Sequence, residues 1–372
     1  MSILFEPASL KNIKIRNRFV RSATYDGFAD EGGYVSAGQR KLLTELAGGG
    51  VGLIVSGIAY VHYTGQISPF QNSIAEDRFI PGFKELTNAV HERGAKIALQ
   101  LFHGGREAKY VRTKSIIPLA PSIIENDPFY RGEHREITEA EIWEIIKAFG
   151  DGAKRAKEAG FDAIQVHGAH AYLLSQFLSP YTNRRQDQWG GSLENRLRFH
   201  SEIYKDIRKK VGRDYPLFIK IGVQDGFIGG LEFNEGKQAA LQMAQLGYDA
   251  LEISQGLRGE RYEGTEYRAH INSPNKEAYY RDWCRDIKSR IDIPIMMVGG
   301  LRTLYLMEKI IQNGEADLVS LCRPLICEPG LINEWKNNEH KKAKCISCNK
   351  CVDHMYKGKP ICCIQNDPDR LP

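Results

Sequence analysis

Eight short apolar runs punctuate this chain, spaced so that a helix fits after each. They are Arg18–Ala23, Val51–Ser56, Lys96–Leu101, Asp162–His167, Pro216–Ile221, Ala250–Ser254, Pro294–Val298 and Asp317–Cys322. β-Branched residues and leucine dominate them, with little polar alternation, as in parallel strands covered on both faces. The segments between them carry helical periodicity. The clearest begins at Thr138, where Thr138 and Glu141 form a capping box and Ile142, Ile145, Ile146, Phe149 and Ala153 mark one apolar face. Eight strand–helix units in series predict an α/β protein built as a (β/α)8 TIM barrel rather than an open sheet. The barrel is expected over residues 1–335, followed by a short Cys-rich segment, 336–372.

Other readings are excluded. Gly48-Gly-Gly-Val-Gly52 lacks the spacing of a dinucleotide fingerprint and precedes a strand instead of following one. The formal charge of +5 comes with no Lys/Arg run that would track a nucleic acid, so it reads as solvated surface. Met1-Ser-Ile-Leu-Phe-Glu-Pro7 is not a signal peptide. The longest apolar stretch, Val51 to Val61, is broken by Gly and Ser and is too short for a bilayer. A soluble cytoplasmic protein is expected, bound neither to nucleic acid nor to membrane. The stretch Glu107–Ile137, with prolines at 118, 121 and 128, is long for a barrel loop. It reads as a lid over the mouth or as a decorative insertion.

Barrel chemistry sits at the carboxyl ends of the strands. Gly299-Gly300 follows the seventh strand and Arg323 follows the eighth. Glycines admit backbone N–H groups close to an anion and arginine adds a forked cation, so this pair predicts a phosphate site. The third strand ends in Gln100 and then His103-Gly-Gly-Arg106; the fifth ends in Lys220. A glutamine amide both donates and accepts toward a heterocycle, and the lysine ammonium stabilises negative charge on a reduced ring. The fourth strand ends in His167-Gly-Ala-His170-Ala-Tyr172. Two imidazoles three residues apart, turned toward one spot, hold a carbonyl oxygen while charge builds on it, and Tyr172 is a phenol able to deliver a proton. No carboxylate stands at HExxH-like spacing to make the histidines a metal site.

Five of the eight cysteines lie in the last 28 residues: Cys345-Ile-Ser-Cys348-Asn-Lys-Cys351, then Cys362 and Cys363. Three thiolates at this spacing plus a later fourth supply an iron–sulfur cluster; four thiolates also make a structural zinc site. Disulfides suit this chain less, because the rest of it looks cytosolic.

The string Tyr172-Leu-Leu-Ser-Gln-Phe-Leu-Ser-Pro180, continuing through Asn183-Arg-Arg-Gln-Asp187 and Gly190-Gly-Ser-Leu-Glu-Asn-Arg196, closely resembles the old yellow enzyme family of FMN-dependent oxidoreductases. So do Leu10-Lys-Asn-Ile13 and Asn17-Arg-Phe-Val20. The Cys-rich tail is similar to the iron–sulfur segment of the branch containing 2,4-dienoyl-CoA reductase and trimethylamine dehydrogenase. The resemblance implies FMN across the barrel mouth, with Ser22, Ala23 and Thr24 lining one face and Gly57 near the ring. It implies Gln100 and Lys220 on the pyrimidine side, and Gly299, Gly300, Cys322 and Arg323 at the phosphate. Arg106 would lie near the flavin edge. It implies His167 and His170 as binders of the substrate's activating oxygen and Tyr172 as proton donor to an activated alkene. It further implies a [4Fe–4S] cluster on Cys345, Cys348, Cys351 and Cys363, the last favoured over Cys362 by the Cys-Ile-Gln-Asn run it begins. Tyr25 stands where amine-oxidising relatives attach FMN through cysteine, so the flavin should be dissociable, and an ene-reductase is implied over an amine dehydrogenase or a silent electron-transfer subunit. Lys220 replaces the arginine of many members and loses its planar fork. The implied partners are a small unsaturated substrate and either NAD(P)H or a separate electron-donor protein, in a monomer or a homo-oligomer.

Overall fold

The computed structural model describes residues 2–259, 264–338 and 340–363. Eight parallel strands close on themselves: β1 Phe19–Arg21, β2 Leu53–Tyr60, β3 Lys96–Phe102, β4 Ala163–Gly168, β5 Leu217–Gly222, β6 Ala250–Ser254, β7 Ile295–Met297 and β8 Leu318–Leu321. Each predicted run supplies one strand. Neighbours pair in sequence order, and β1 closes the ring by pairing with both β8 and β2. Helices cover the outside, among them Glu139–Glu158, whose Thr138/Glu141 capping box forms as expected.

Because strand side chains alternate, residues two apart face the same way and build layers inside the barrel. Val20, Ala98, Ala163, Phe218, Ala250, Met296 and Leu318 form one apolar layer, packed with Leu10, Ile13 and Ile15. Those last three belong to an antiparallel hairpin, Ala8–Leu10 with Ile13–Ile15, which plugs the end where the strands begin. Two residues further along the strands the layer turns polar: Ser22, Gln100, Gln165, Lys220, Glu252 and Ser320, all buried. One step beyond stand Thr24, His167, Ser254 and Cys322. Gly57 sits where the β2–β3 register slips between Val55 and Ile58. A Cβ there would lie 2.9 Å from the Thr24 carbonyl oxygen, so the close approach of these chains requires glycine.

No residue of the insertion 107–137 lines the cavity at the mouth. The insertion is pinned to the side of the barrel instead. Arg106 Nη1 is 2.7 Å from Asp127 Oδ2, both side chains almost wholly buried. Tyr181 Oη and the Phe129 amide also donate to Asp127, each at 2.8 Å, and Phe129 stacks on Phe227. Asp127→Ala would strand the Arg106 charge in the interior. The expected loss is about 3–5 kcal/mol, read as a lower urea midpoint at unchanged m-value. The mouth is covered by the Cys-rich segment: Ser347, Cys351, Val352, Met355, Tyr356, Gly358 and Ile361 all face the cavity. Residues 364–372, including most of the run from Cys363 to Asn366, lie outside the described residues. No helix among the described residues is long and apolar enough to cross a membrane.

Candidate active site

A cavity of about 460 Å³ opens at the carboxyl ends of the strands, within the range of small-molecule and cofactor sites. Its floor is the polar layer. Gln100 Nε2 donates to Gln165 Oε1 at 2.7 Å, and Gln165 Nε2 donates to Glu252 Oε2 at 2.9 Å. Ser22 Oγ donates to Glu252 Oε1 at 2.7 Å, and Lys220 Nζ donates to Ser22 Oγ at 2.9 Å. Lys220 Nζ also lies 3.4 Å from Glu252 Oε1. A lone ammonium buried here would cost several kcal/mol, and the nearby Glu252 carboxylate offsets that cost. The register explains the meeting: Gln100 pairs with Gln165, and Lys220 pairs with both His167 and Glu252. Ser320 adds a buried hydroxyl with no hydrogen-bond partner among the described residues, on the cavity wall.

His167, His170 and Tyr172 converge on the same cavity. The ring of His167 is 5.0 Å from those of both His170 and Tyr172. This needs a sharp turn after β4, and the chain makes it with His170 and Ala171 at φ 59° and 64°. Left-handed conformations of non-glycine residues cost about 1–3 kcal/mol each and persist only where surroundings enforce them. Here the amides of His170 and Ala171 donate to the carbonyls of Gln255 and Gly256, both at 3.1 Å. Gln176 Nε2 clamps the Ala171 carbonyl at 2.6 Å. Much of the long strand-4 motif is therefore scaffolding: Gln176 also accepts from the Arg106 amide, and Asn183 donates to the carbonyls of Phe177 and Trp189.

Both imidazoles are held neutral. Burial lowers the pKa of His167 well below its ordinary value, helped by His170 and Lys220; burial does the same for His170, helped by Lys220 and Arg258. The Ala169 amide donates to His167 Nδ1 at 3.3 Å, so the single proton of the neutral ring sits on Nε2. His170 Nε2 bonds Ser254 Oγ at 2.8 Å. Burial raises the Tyr172 pKa, with Arg258 pulling against it, so the phenol keeps its proton at neutral pH.

The other predicted residues divide. Ser22, Ala23, Thr24, Gln100, Lys220, Gly300, Cys322 and Arg323 line the cavity; Gly57 and Gly299 do not. Gly299 and Gly300 take φ of 135° and 75°, open to glycine alone at little cost. Cys322 Sγ is 3.1 Å from Thr24 Oγ1. Burial raises its thiol, but Arg21, Thr24 and Arg323 outweigh that and leave the pKa lowered. Arg106 is turned into the insertion. Arg323 spans two sites, lining the main cavity while its Nη1 donates to Arg268 O at 2.7 Å and to Asn349 Oδ1 at 2.5 Å.

Arg323 also walls a second, small cavity lined by Cys345, Cys348, Cys351 and Cys363. Cys362 is absent from that lining; its Sγ lies 3.1 Å from His354 Nδ1. Ser347 and Asn349 are left-handed, at φ 54° and 60°, and the Ser347 amide donates to Cys345 Sγ at 3.4 Å. Such turns aim backbone N–H groups into a concavity suited to an anionic cluster. Among the described residues no three His, Cys, Asp or Glu side chains converge on one metal-ion position. Cys327, which sequence reasoning passed over, is hydrogen-bonded to Cys363; burial first, then Cys363 and Cys345, push its thiol up to about 12.

Sequence reasoning also missed Gln165, Glu252, Ser254, Arg258 and Glu266. A glutamate inside the apolar strand Ala250–Ser254 was a readable signal, since a buried carboxylate requires a cation. Arg258 and Glu266 lie in a loop without motif spacing.

Residues 3–342 match the family described as NADH:flavin oxidoreductase / NADH oxidase. An NADH oxidase of Thermoanaerobacter brockii is 38% identical over 375 residues, covering 98% of this chain and 56% of that protein. The structure of a 2-naphthoyl-CoA reductase with 2-naphthoyl-CoA superposes with a TM-score of 0.90 at 30% identity, over 98% of this chain and 57% of that one. A histamine dehydrogenase from Rhizobium sp. 4-9 superposes with a TM-score of 0.84 at 29% identity, over 98% and 52%. The chain thus spans about half the length of each of these proteins.

Proposed function

The chain belongs to the NADH:flavin oxidoreductase / NADH oxidase family, and on that premise we propose that it is an FMN-dependent ene-reductase acting on the C=C bond of an α,β-unsaturated carbonyl or thioester. The observation that carries this reading is the neutral His167 and His170 beside a protonated Tyr172 on one cavity. The flavin fits the residues present. Gln100 and Lys220 offer donors at the floor, Ser22, Ala23, Thr24 and Ser320 face the same space, and Gly300, Cys322 and Arg323, the residues assigned to the phosphate, line it too. FMN bound there would supply hydride transfer, taking electrons from NAD(P)H or from a donor protein. The protein's own part is then to orient and protonate. His167 Nε2–H donates to the activating oxygen of the substrate, His170 borders the same space, and Tyr172 gives its proton to the α-carbon.

The Cys-rich segment 336–372 acts in this reading as a [4Fe–4S] segment held by Cys345, Cys348, Cys351 and Cys363. In a cluster each thiolate binds a different iron, so the four sulfurs ring a cavity rather than meet at one point. Their reduced state suits the cytoplasm.

The test is to mix anaerobically reduced protein with an α,β-unsaturated ketone or thioester. Reoxidation is expected, and its absence would overturn the reading. Reduction of the oxidised protein by a secondary or tertiary amine would favour an amine dehydrogenase instead. Attachment is checked separately. Tyr25 faces the cavity with its hydroxyl donating to Ser68 Oγ at 2.6 Å, and a phenol forms no thioether. Acid precipitation should therefore leave FMN in a yellow supernatant, not in the pellet.

A further inference from the structure

Tyr172 is buried, and a phenol that gives up a proton there leaves a phenolate in a poor solvent for charge. Among the described residues Arg258 answers it. Arg258, in the loop after β6, places its guanidinium carbon 5.2 Å from the Tyr172 ring centroid and Nη2 at 3.4 Å from the phenol oxygen. Glu266 accepts from the same guanidinium, its Oε1 at 2.7 Å from Nη2 and 3.0 Å from Nε and its Oε2 at 3.1 Å from Nε, so Nη2 is shared between the carboxylate and the phenol. The grip is bidentate, which fixes the plane of the fork as well as its position. Arg258, Glu266 and Tyr172 all line the main cavity. Among the described residues the other groups facing the phenol bring no second cation: Tyr25 and the neutral His167 lie alongside, Phe102 meets the ring edge-on at 4.4 Å, and Glu107 and Glu266 bring negative charge.

We propose that Arg258, anchored by Glu266, is the positioning residue for the proton donor: it orients the Tyr172 hydroxyl and stabilises the phenolate left when the proton is transferred. This rests on the ene-reductase reading. With the flavin bound and supplying hydride to the β-carbon, the substrate's α-carbon would be left with the electron pair that Tyr172 protonates. The Tyr172 proton joins that pair as a new C–H bond, and the O–H electron pair stays on the phenol oxygen beside Arg258. Glu266 stops the guanidinium from swinging away, at the cost of some of its positive field.

The experiment compares Arg258→Gln and Arg258→Lys with the parent protein, loaded with FMN. An opposite charge at this distance moves a pKa by about 1–3 units. Losing it makes Tyr172 a weaker acid, so Arg258→Gln should reoxidise with an enone about 10-fold more slowly, short of the loss from removing the phenol itself. The alkaline limb of that half-reaction, where Tyr172 loses its proton, should move to higher pH. Flavin reduction should be unchanged. Arg258→Lys keeps the charge without the fork, so its alkaline limb should stay near the parent's while its rate recovers only in part. Ultraviolet difference titration of the phenols, with Tyr172→Phe identifying the relevant transition, reads the same shift without any turnover. An unmoved titration in Arg258→Gln would overturn the proposal, as would equal slowing of both half-reactions with an unmoved limb. Failure of the parent to react with any enone sinks the ene-reductase reading instead, and the titration still decides the role of Arg258.

Discussion

Replacing Tyr172 with Phe is expected to slow reoxidation of the reduced protein by an α,β-unsaturated ketone by ~10²–10⁴-fold, the usual contribution of a positioned general acid. Reduction of the flavin should be nearly untouched, because the proton is needed only when the alkene is reduced. The substitution is a clean probe, since phenylalanine keeps the ring contacts with Phe102 and His167 and removes only the hydroxyl near Arg258. Stopped-flow measurement of the two half-reactions separates the possibilities. Equal losses in both would mean that the hydroxyl serves binding or packing.

The second large effect concerns the tail. Anaerobically prepared protein should hold about four iron atoms per chain and negligible zinc. Cys348→Ala should abolish the iron, since Cys348 lines the small cavity, whereas Cys362→Ala should retain most of it because that thiol faces His354. Flavin should survive both changes, its floor contacts being made within the barrel. Iron analysis and the absorption spectrum check these outcomes together. Four equivalents of iron surviving in Cys348→Ala would remove it from the ligand set, and one zinc per chain in the parent would replace the cluster altogether. Cys327 sharpens the test: hydrogen-bonded to Cys363, it is the thiol placed to substitute if Cys363 is removed, so partial iron retention is expected in Cys363→Ala but not in Cys348→Ala.

The strands were legible because a segment buried on both faces must be apolar throughout, and few other structures impose that. Their ends were less so. The apolar run Val51–Ser56 ends four residues short of its strand, which passes through a register slip between Val55 and Ile58 and continues to Tyr60. The strand-end positions Gln100, His167 and Lys220 were legible as polar residues capping apolar runs. Their support was not. Arg258 and Glu266 reach Tyr172 only through tertiary packing, and nothing in their spacing advertises it. The insertion 107–137 shows the same limit from the other side. Its length and prolines mark it as irregular, but its position depends on Arg106–Asp127 and Phe129–Phe227, contacts between segments that local sequence does not link. The Cys-rich segment, read as an appendage, turns out to furnish one wall of the main cavity.

The N-terminal hairpin carries a kinetic consequence. With Leu10, Ile13 and Ile15 corking the far end of the barrel, whatever reaches the polar layer must arrive from the end where the strands finish. If the proposed reading holds and NAD(P)H reduces the flavin directly, a nicotinamide and an alkene would share one doorway and have to take turns. Steady-state rates should give parallel double-reciprocal lines, with each substrate inhibiting at high concentration by occupying the form of the protein meant for the other. Electrons arriving through the cysteine cavity, behind Arg323, would bypass that queue.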